Sequence, residues 1–239
     1  MAETMIDIMK RRVSVRTYSA DPVPPETLDR LAAALEKNSP SLFGSEPRFL
    51  LTDPRESRFG EAAGLSTYGV VKNPYAFIVG AVRKGPRCLT DFGYAMERNI
   101  LEASALGLGT CWLGGTFSRS AFARAAGLRE GELLPAVSPV GLPAGKKSLV
   151  DGFLHFAAGS RHRRPWQDLF CLGSPAEPLF PEAAGGCAEA LECVRIAPSA
   201  QNKQPWRVVK DRSGDVFHFY YVPGAGGGEV RFAEIDIGI

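Results

Sequence analysis

The chain has 239 residues, of which 45% are hydrophobic and 23% are charged, and its formal net charge is +2. This composition is typical of a soluble globular protein, and the length suits one large domain or two smaller ones. The small net charge gives no reason to expect nucleic-acid binding. No apolar run approaches the roughly 18 residues that span a bilayer, and no apolar segment follows the first charges. We therefore expect neither a membrane span nor a secretory signal.

The cysteine and histidine content excludes two further classes of protein. The five cysteines are an odd number without C-x-x-C spacing, and there are only three histidines. This pattern favours neither a disulfide framework nor a zinc site. We expect reduced thiols, a cytoplasmic location and no bound metal.

Hydrophobic spacing and turn residues predict a mixture of helices and strands. The first part of the chain is predicted to form a short helix near residues 5–9, an extended segment at 14–18, a helix after Pro25, and strands at 48–52 and 75–82. A long helix at 91–106 follows, then a Gly-rich extended segment at 110–116, a small helix capped by Ser118 and a strand at 133–141. The last part is predicted to form a helix at 187–194 and strands at 206–210, 216–222 and 230–235. The long helix carries an apolar stripe at a 3.6-residue period, and glycines follow its end.

Two segments of the chain align with each other without a gap, residues 38–53 and residues 196–211. Identical residues occupy four of the sixteen aligned positions: Pro40, Ser41, Pro47 and Asp53 in the first segment, and Pro198, Ser199, Pro205 and Asp211 in the second. Proline and serine favour such turns in any case, so chance could produce these identities. However, each segment also follows a predicted helix, and the strand predicted after Pro47 agrees in character with the one after Pro205. We therefore predict a duplication.

The two segments differ at the positions that could bind a ligand. Asn202, Gln204 and Trp206 of the second correspond to Gly44, Glu46 and Arg48 of the first. A second correspondence joins Asp91-Phe92-Gly93, in the long helix, to Asp236-Ile237-Gly238 at the end of the sequence. From this we expect a chain truncated at the start of its second long helix, with a sheet edge or core face left open.

Three motifs offer hydrogen-bond donors to a ligand. Arg12, Ser14 and Arg16 alternate along an extended segment and so share one face, which suits a phosphate or an electron-rich ring edge, although a solvated basic strand has the same pattern. Arg161 and Arg163 repeat that spacing, and they too could be an ordinary surface charge run. Residues 107–115, G-L-G-T-C-W-L-G-G, allow close backbone approach to a planar ligand. They do not form a dinucleotide fingerprint, because they follow a helix.

The segment at 197–207, A-P-S-A-Q-N-K-Q-P-W-R, offers uncharged hydroxyl, amide and backbone groups. By itself it could be a polar turn between a helix and a strand. Together with R-x-S-x-R, A-S-A-L-G-L-G-T-C-W-L-G-G and R-x-R-x-P, it resembles the nitroreductase family of flavoproteins. The order departs from the usual one, since the intact A-P-S-x-x-N-x-Q-P-W segment comes last, as in a tandem-repeat branch of the family.

The resemblance implies an α+β nitroreductase-like fold, with a mainly antiparallel central sheet flanked by helices. It implies two repeats, residues 1–172 and a partial second repeat at 173–239, which form an intramolecular pseudo-dimer. We expect a monomer, with a homodimer as the alternative. One FMN would bind per chain, between the repeats. The cofactor-binding residues carried over from the family are Arg12, Ser14, Arg16, Leu113, Gly114, Gly115, Arg161 and Arg163 of the first repeat, and Pro198, Ser199, Ala200 and Asn202 of the second.

The resemblance also implies a reaction in which NADH or NADPH reduces FMN, after which a nitroaromatic, quinone or related small acceptor takes the electrons. No side chain is needed as a proton donor. Cys111, Trp112 and Trp206 are expected to pack rather than to contact the ligand. The alternative is a flavin-binding protein without turnover, or a vestigial duplicate, since a shared fold does not determine the reaction.

Overall fold

The computed structural model describes residues 3–37, 41–54, 65–145, 162–222 and 234–239. Its helices are α1 (Met5–Arg11), α2 (Pro25–Lys37), α3 (Cys88–Ala105), α4 (Arg119–Ala125), α5 (Trp166–Leu169), α6 (Pro181–Ala184), α7 (Ala188–Ile196) and α8 (Ile235–Gly238). Its strands are β1 (Arg48–Thr52), β2 (Ala76–Arg83), β3 (Gly109–Thr110), β4 (Glu132–Leu133), β5 (Val137–Gly141), β6 (Phe170–Leu172), β7 (Trp206–Lys210) and β8 (Phe217–Tyr221). Short 3₁₀ turns occupy Gly185–Cys187 and Ala200–Asn202.

The larger sheet is antiparallel, in the order β1-β2-β5-β3, with β4 also paired to β2. Strand β2 is buried from Ala76 to Val82, as its continuous apolar sequence predicted. Helices α2 and α3 pack beside it, and their apolar stripes complete the core. A side chain at Gly80 would meet the rings of Phe49 and Phe92 at 2.6 Å, so only glycine allows helix and strand to approach this closely. The prediction of an α+β fold with a mainly antiparallel sheet is confirmed.

The smaller sheet has the order β6-β7-β8. Strand β7 pairs antiparallel with β8, as β1 pairs with β2, but β6 lies parallel on its other side. The segment 166–172 therefore packs against the elements that follow it, and Trp166 and Phe170 contribute to the core of that sheet. Strand β8 is largely exposed, in contrast to β2.

Several predicted boundaries were wrong, each for a local reason. The strand predicted at 133–141 is divided, because Pro135 has no N–H to continue a ladder. Helix α3 begins at Cys88, one turn before the predicted start, after Arg87 in a left-handed conformation. Ser118 does precede α4, but its side chain makes no capping hydrogen bond. The strand predicted at 230–235 lies mostly outside the described residues, and its last residue, Ile235, begins α8.

Helices α3 and α8 meet at two glycines. A side chain on Gly93 would lie 2.3 Å from the Ile235 carbonyl oxygen and 3.2 Å from Gly238 Cα. A side chain on Gly238 would collide with the carbonyl of Thr90. The two corresponding D-x-G segments are thus in direct contact, backbone against backbone. Within the described ranges, no helix has the length and apolar character needed to cross a membrane.

Candidate functional site

The segment that follows α7 forms a tight, unusual turn. Three of its residues have positive φ without being glycine: Gln201 (53°), Asn202 (56°) and Gln204 (49°). Amide side chains tolerate this conformation better than branched ones, but such a cluster still costs free energy. Ser199 stabilises the turn, because its Oγ accepts a hydrogen bond of 2.9 Å from the Gln204 N–H. Backbone strain of this kind is typical of functional sites.

Arg163 holds this turn from the other side. Its Nη1 donates to Asn202 Oδ1 at 2.8 Å, and its Nε and Nη2 donate to the Ile196 carbonyl at 3.2 and 3.0 Å. Asn202 Nδ2 in turn donates to the His162 carbonyl at 2.8 Å, and the Arg164 N–H donates to Gln204 Oε1 at 2.7 Å. The R-x-R-x-P motif and the intact turn therefore meet. Arg161, the other arginine of that motif, lies outside the described residues.

Arg12 lies at the end of α1, where it lines a cavity of about 350 Å³. The lining residues come from both predicted repeats, residues 1–172 and 173–239, which are called the first and second half below. Pro198 lines the same cavity, which brings one predicted residue from each half together. The walls are mostly apolar and include Ile6, Met9, Leu101, Val194, Ile237 and Ile239. The other predicted site residues that the structure describes do not belong to this lining.

Arg12, Arg16 and Arg163 are partly buried, and Arg12 lies near enough to Arg163 for their charges to interact. The Arg12 side chain is only 7% exposed, and its Nη1 has no hydrogen-bond partner among the described residues. The same is true of the buried Nη1 of Arg16. Burial lowers the pKa of Arg163, and the positive charges of Arg12 and Arg195 lower it further. A bound anion would relieve this repulsion and would satisfy donors that the described protein groups leave unpaired.

Ser14 connects the arginine motif to the Gly-rich segment. It forms a parallel bridge with Thr110, and the neighbouring Val15 N–H donates to the Thr110 carbonyl at 2.8 Å. The Val15 side chain packs so close to Gly109 that a side chain there would meet it at 2.8 Å. A glycine at this position thus lets the two motifs lie side by side.

The far end of the Gly-rich segment is open. Leu113 is buried and pairs with Val137, which anchors the segment to β5. Gly114 and Gly115 are exposed, and a side chain on either would meet no atom within 4 Å. Their backbone is accessible to a ligand. Arg119 Nη2 donates to the Gly114 carbonyl at 2.8 Å and supports the turn.

Two aspartates occupy matching positions in the two halves. The Asp91 carboxylate accepts hydrogen bonds from the N–H groups of Leu42, Phe43 and Ser45 at 2.8–2.9 Å. The Asp236 carboxylate accepts from the Ala200 N–H, at 3.1 Å for Oδ1 and 3.2 Å for Oδ2. Ala200 is the residue that aligns with Leu42. Each helix N-terminus thus contacts the turn of its own half through the aspartate of its D-x-G segment.

Sequence reasoning noted the D-x-G correspondence but missed what the aspartates do, and it missed Glu97 altogether. Glu97 lies on α3, is 7% exposed, and lines the cavity with Arg12. A signal was present, because Glu97 lies three residues before Ile100 and four before Leu101 and so shares a helix face with apolar side chains. A carboxylate at such a position needs a partner, and the arginine motif is the obvious source of one.

A family model described as "Putative TM nitroreductase" matches residues 4–239 of the chain. A solved structure described as a "putative nitroreductase", from Thermotoga maritima, is 18% identical with a TM-score of 0.61, and the match covers 100% of this chain and 80% of that one. That likeness supports the fold assignment. No curated protein matches the chain.

Two further solved structures match a smaller part of the chain. An FMN-dependent nitroreductase from Clostridium difficile is 22% identical with a TM-score of 0.47, and the match covers 59% of this chain and 88% of that one. A "putative nitroreductase in complex with FMN" from Desulfovibrio desulfuricans is 20% identical with a TM-score of 0.46, and that match covers 63% and 95%.

Proposed function

The chain belongs to the nitroreductase family defined by that model, and on this premise we propose that it is an FMN-dependent oxidoreductase. The observation that carries the proposal is the pair of arginines at the junction of the two halves. The Arg12 side chain is buried and its Nη1 has no partner among the residues that the structure describes, and Arg163 lies close enough for the Arg12 charge to lower its pKa. Such a pair suits an anionic ligand, and the phosphate of FMN is the anion that the family resemblance implies.

Residues of different chemistry would contact different parts of FMN. We assign Arg12, Arg161 and Arg163 to the phosphate, and Ser14 to the phosphate or the sugar-like chain. Arg16 would place its cation at the pyrimidine edge of the flavin ring, where it favours reduction. The donors of Arg163 are engaged with Ile196 and Asn202 in this structure, so binding of a phosphate requires some of them to be redirected.

Backbone and uncharged groups would enclose the ring. The accessible backbone of Gly114 and Gly115, next to the buried Leu113, would face the ring from one side, and Pro198, Ser199, Ala200 and Asn202 would approach it from the other half. When bound, FMN supplies the chemistry of hydride acceptance and electron donation, and the protein supplies position and electrostatics. The side chains named here bind and orient, and none is assigned a proton-transfer role.

We propose one FMN per chain, because only one of the two turns retains the amides. The turn with Gly44 in place of Asn202 would lack that contact. The matched contacts of Asp91 and Asp236 support a tandem organisation, with repeats at 1–172 and 173–239 that pair as an intramolecular pseudo-dimer. NADH or NADPH would serve as the donor, and nitroaromatic, quinone or related small molecules as acceptors.

The test is stepwise, so that binding and turnover are separated. The purified protein is loaded with FMN and freed of excess, and NADH or NADPH is then added under anaerobic conditions. Loss of the absorbance of oxidised flavin, followed by its return when a quinone is added, is the expected result. Bound flavin that neither nicotinamide reduces would replace the enzyme proposal by a flavin-binding role. Failure to bind FMN at all would overturn both.

A further inference from the structure

Glu97 is a buried carboxylate on an apolar helix face, and the proposed cofactor contacts do not include it. It projects from the middle of α3, is 7% exposed, and contributes to the cavity between the two halves. Burying a carboxylate costs free energy unless its oxygens have partners. Burial raises the pKa of Glu97, although Arg12 and the hydrogen bond from Trp112 act in the opposite direction.

The partners of Glu97 belong to two different cofactor-binding motifs. Trp112 Nε1, in the Gly-rich segment, donates to Glu97 Oε2 at 2.7 Å. Arg12 Nε, at the start of the arginine motif, lies 3.7 Å from Glu97 Oε1, which is an ion-pair distance. One carboxylate therefore contacts both segments that the first half is proposed to contribute.

The contact between Glu97 and Arg12 involves one particular nitrogen of the guanidinium. Glu97 faces the Nε side of the guanidinium, while Nη1 is the nitrogen without a partner among the described residues. A guanidinium oriented through its Nε keeps its terminal nitrogens available for a second anion. A purely stabilising role explains this arrangement less well, since an apolar side chain of similar size usually stabilises a core as well as a buried ion pair does.

We propose that Glu97 is a positioning residue: it orients the Arg12 guanidinium toward the cofactor phosphate and fixes the Trp112 indole that supports the Gly-rich segment. This inference rests on the proposed function. It makes two separable claims, because Arg12 would act on the phosphate alone, whereas the Gly-rich segment would act on the ring.

Riboflavin separates these two effects, since it has the ring of FMN and lacks the phosphate. The measured quantity is the ratio of the riboflavin and FMN dissociation constants, obtained by titrating the flavin-free full chain and following flavin fluorescence. Glu97→Gln keeps an oxygen that can accept from Trp112 and removes the charge that orients Arg12. It should lower the preference for FMN over riboflavin by about tenfold or more. Trp112→Phe should weaken both ligands by similar factors and preserve the preference.

The matched control is Glu132→Gln. Glu132 is likewise a largely enclosed carboxylate paired with an arginine, since its side chain is 10% exposed and Arg48 Nε and Nη2 donate to it at 2.9 and 2.6 Å. It lies on β4 and not on the cavity. This variant should lose stability and bind FMN and riboflavin as the parent does. If Glu97→Gln does not fold, Glu97→Met removes the same charge with an apolar side chain of similar length.

The outcomes distinguish this inference from the proposed function. A parent protein that prefers FMN, with a Glu97→Gln variant that keeps the full preference, would overturn the positioning role and leave the proposed function standing. Equal weakening of both ligands in that variant would also overturn it, because general damage to the fold acts on both. A parent that binds neither flavin would overturn the proposed function and this inference together.

Discussion

Replacing Asp236 with Asn should leave the protein at least as stable at neutral pH, whereas the same substitution at Asp91 should destabilise it. The two aspartates occupy matching positions in the two halves, but their environments differ. Burial raises the pKa of Asp236 to about 6, and its hydrogen bond from the Ala200 N–H only partly opposes this. Burial acts on Asp91 as well, but its backbone N–H donors outweigh it and hold the pKa below the usual value.

The sign of each effect follows from proton linkage. The folded protein binds the proton of Asp236 more tightly than the unfolded chain, whose reference pKa is 3.8. The contribution of this group to stability therefore falls as the pH rises from about 4 to about 6, and the ionised group is a net cost above that. A difference of about two pKa units corresponds to at most about 3 kcal/mol, and partial exposure of Asp236 reduces this to about 1–2 kcal/mol.

Asn at position 236 removes the cost of ionisation, and its Oδ1 can still accept from the Ala200 N–H. In the parent, both carboxylate oxygens of Asp91 accept hydrogen bonds from backbone N–H groups. Asn at this position replaces one of these oxygens by an N–H₂ group, which cannot accept, so the substitution should lower the free energy of unfolding by about 1–3 kcal/mol. Asp91 contributes stability above the unfolded pKa, and this is lost in acid.

The assay is urea unfolding of the two variants and the parent at several values between about pH 4 and about pH 8. As the pH rises, the free energy of unfolding of Asp236→Asn should increase relative to that of the parent. The free energy of unfolding of Asp91→Asn should instead decrease relative to the parent. If Asp236→Asn destabilises the protein at neutral pH as much as Asp91→Asn does, the carboxylate at 236 is not a net cost and the reasoning is refuted.

Three further predictions follow from contacts elsewhere. Gly93→Ala should destabilise the protein by about 1–3 kcal/mol in urea unfolding, because the new side chain would lie 2.3 Å from a backbone carbonyl of α8, whereas Gly85→Ala, with no atom within 4 Å, should have little effect. The Arg48 hydrogen bonds lower the pKa of Glu132 to about 2, so the stability that Glu132 contributes is present above its unfolded pKa and is lost as the pH falls toward about 2. Glu132→Gln should therefore reduce the loss of stability in acid. An unchanged dependence of stability on pH would argue against the Arg48–Glu132 pair. Asn202→Ala should weaken FMN binding by about tenfold, because it leaves Arg163 Nη1 without its acceptor and removes an amide from the proposed site. An unaltered affinity for FMN would show that Asn202 is not part of that site.

Local pattern predicted much of the fold. Strands β1 and β7 begin and end at the predicted residues, because each lies between a proline and a polar turn that define its ends. The buried strand β2 and the long helix α3 were also predicted, since continuous apolar runs and a sustained 3.6-residue period are determined locally. The short parallel strand β6 was not, because three residues carry no period and the pairing depends on β7, more than thirty residues away.

The sequence pointed to motifs but not to their contacts. Arg163 contacts Asn202, whereas a cofactor site shared by the R-x-R-x-P segment and the intact turn stays a prediction. That Arg163 would use its donors on this turn was not foreseen, since one sequence does not show which acceptors compete for a guanidinium. Glu97 was missed for a related reason: its importance depends on Trp112 and Arg12, which α3 brings together only in the folded chain.

The most direct test of the central claim, a single FMN site built across the two halves, is the flavin content of fully loaded protein. Flavin absorbance after removal of free FMN, divided by protein concentration, should give one FMN per chain. Arg12→Ala should lose most of that FMN at the same loading concentration while remaining folded. A ratio of two would show that the turn with Gly44 also completes a site, and no retained FMN in the parent protein would contradict the claim outright.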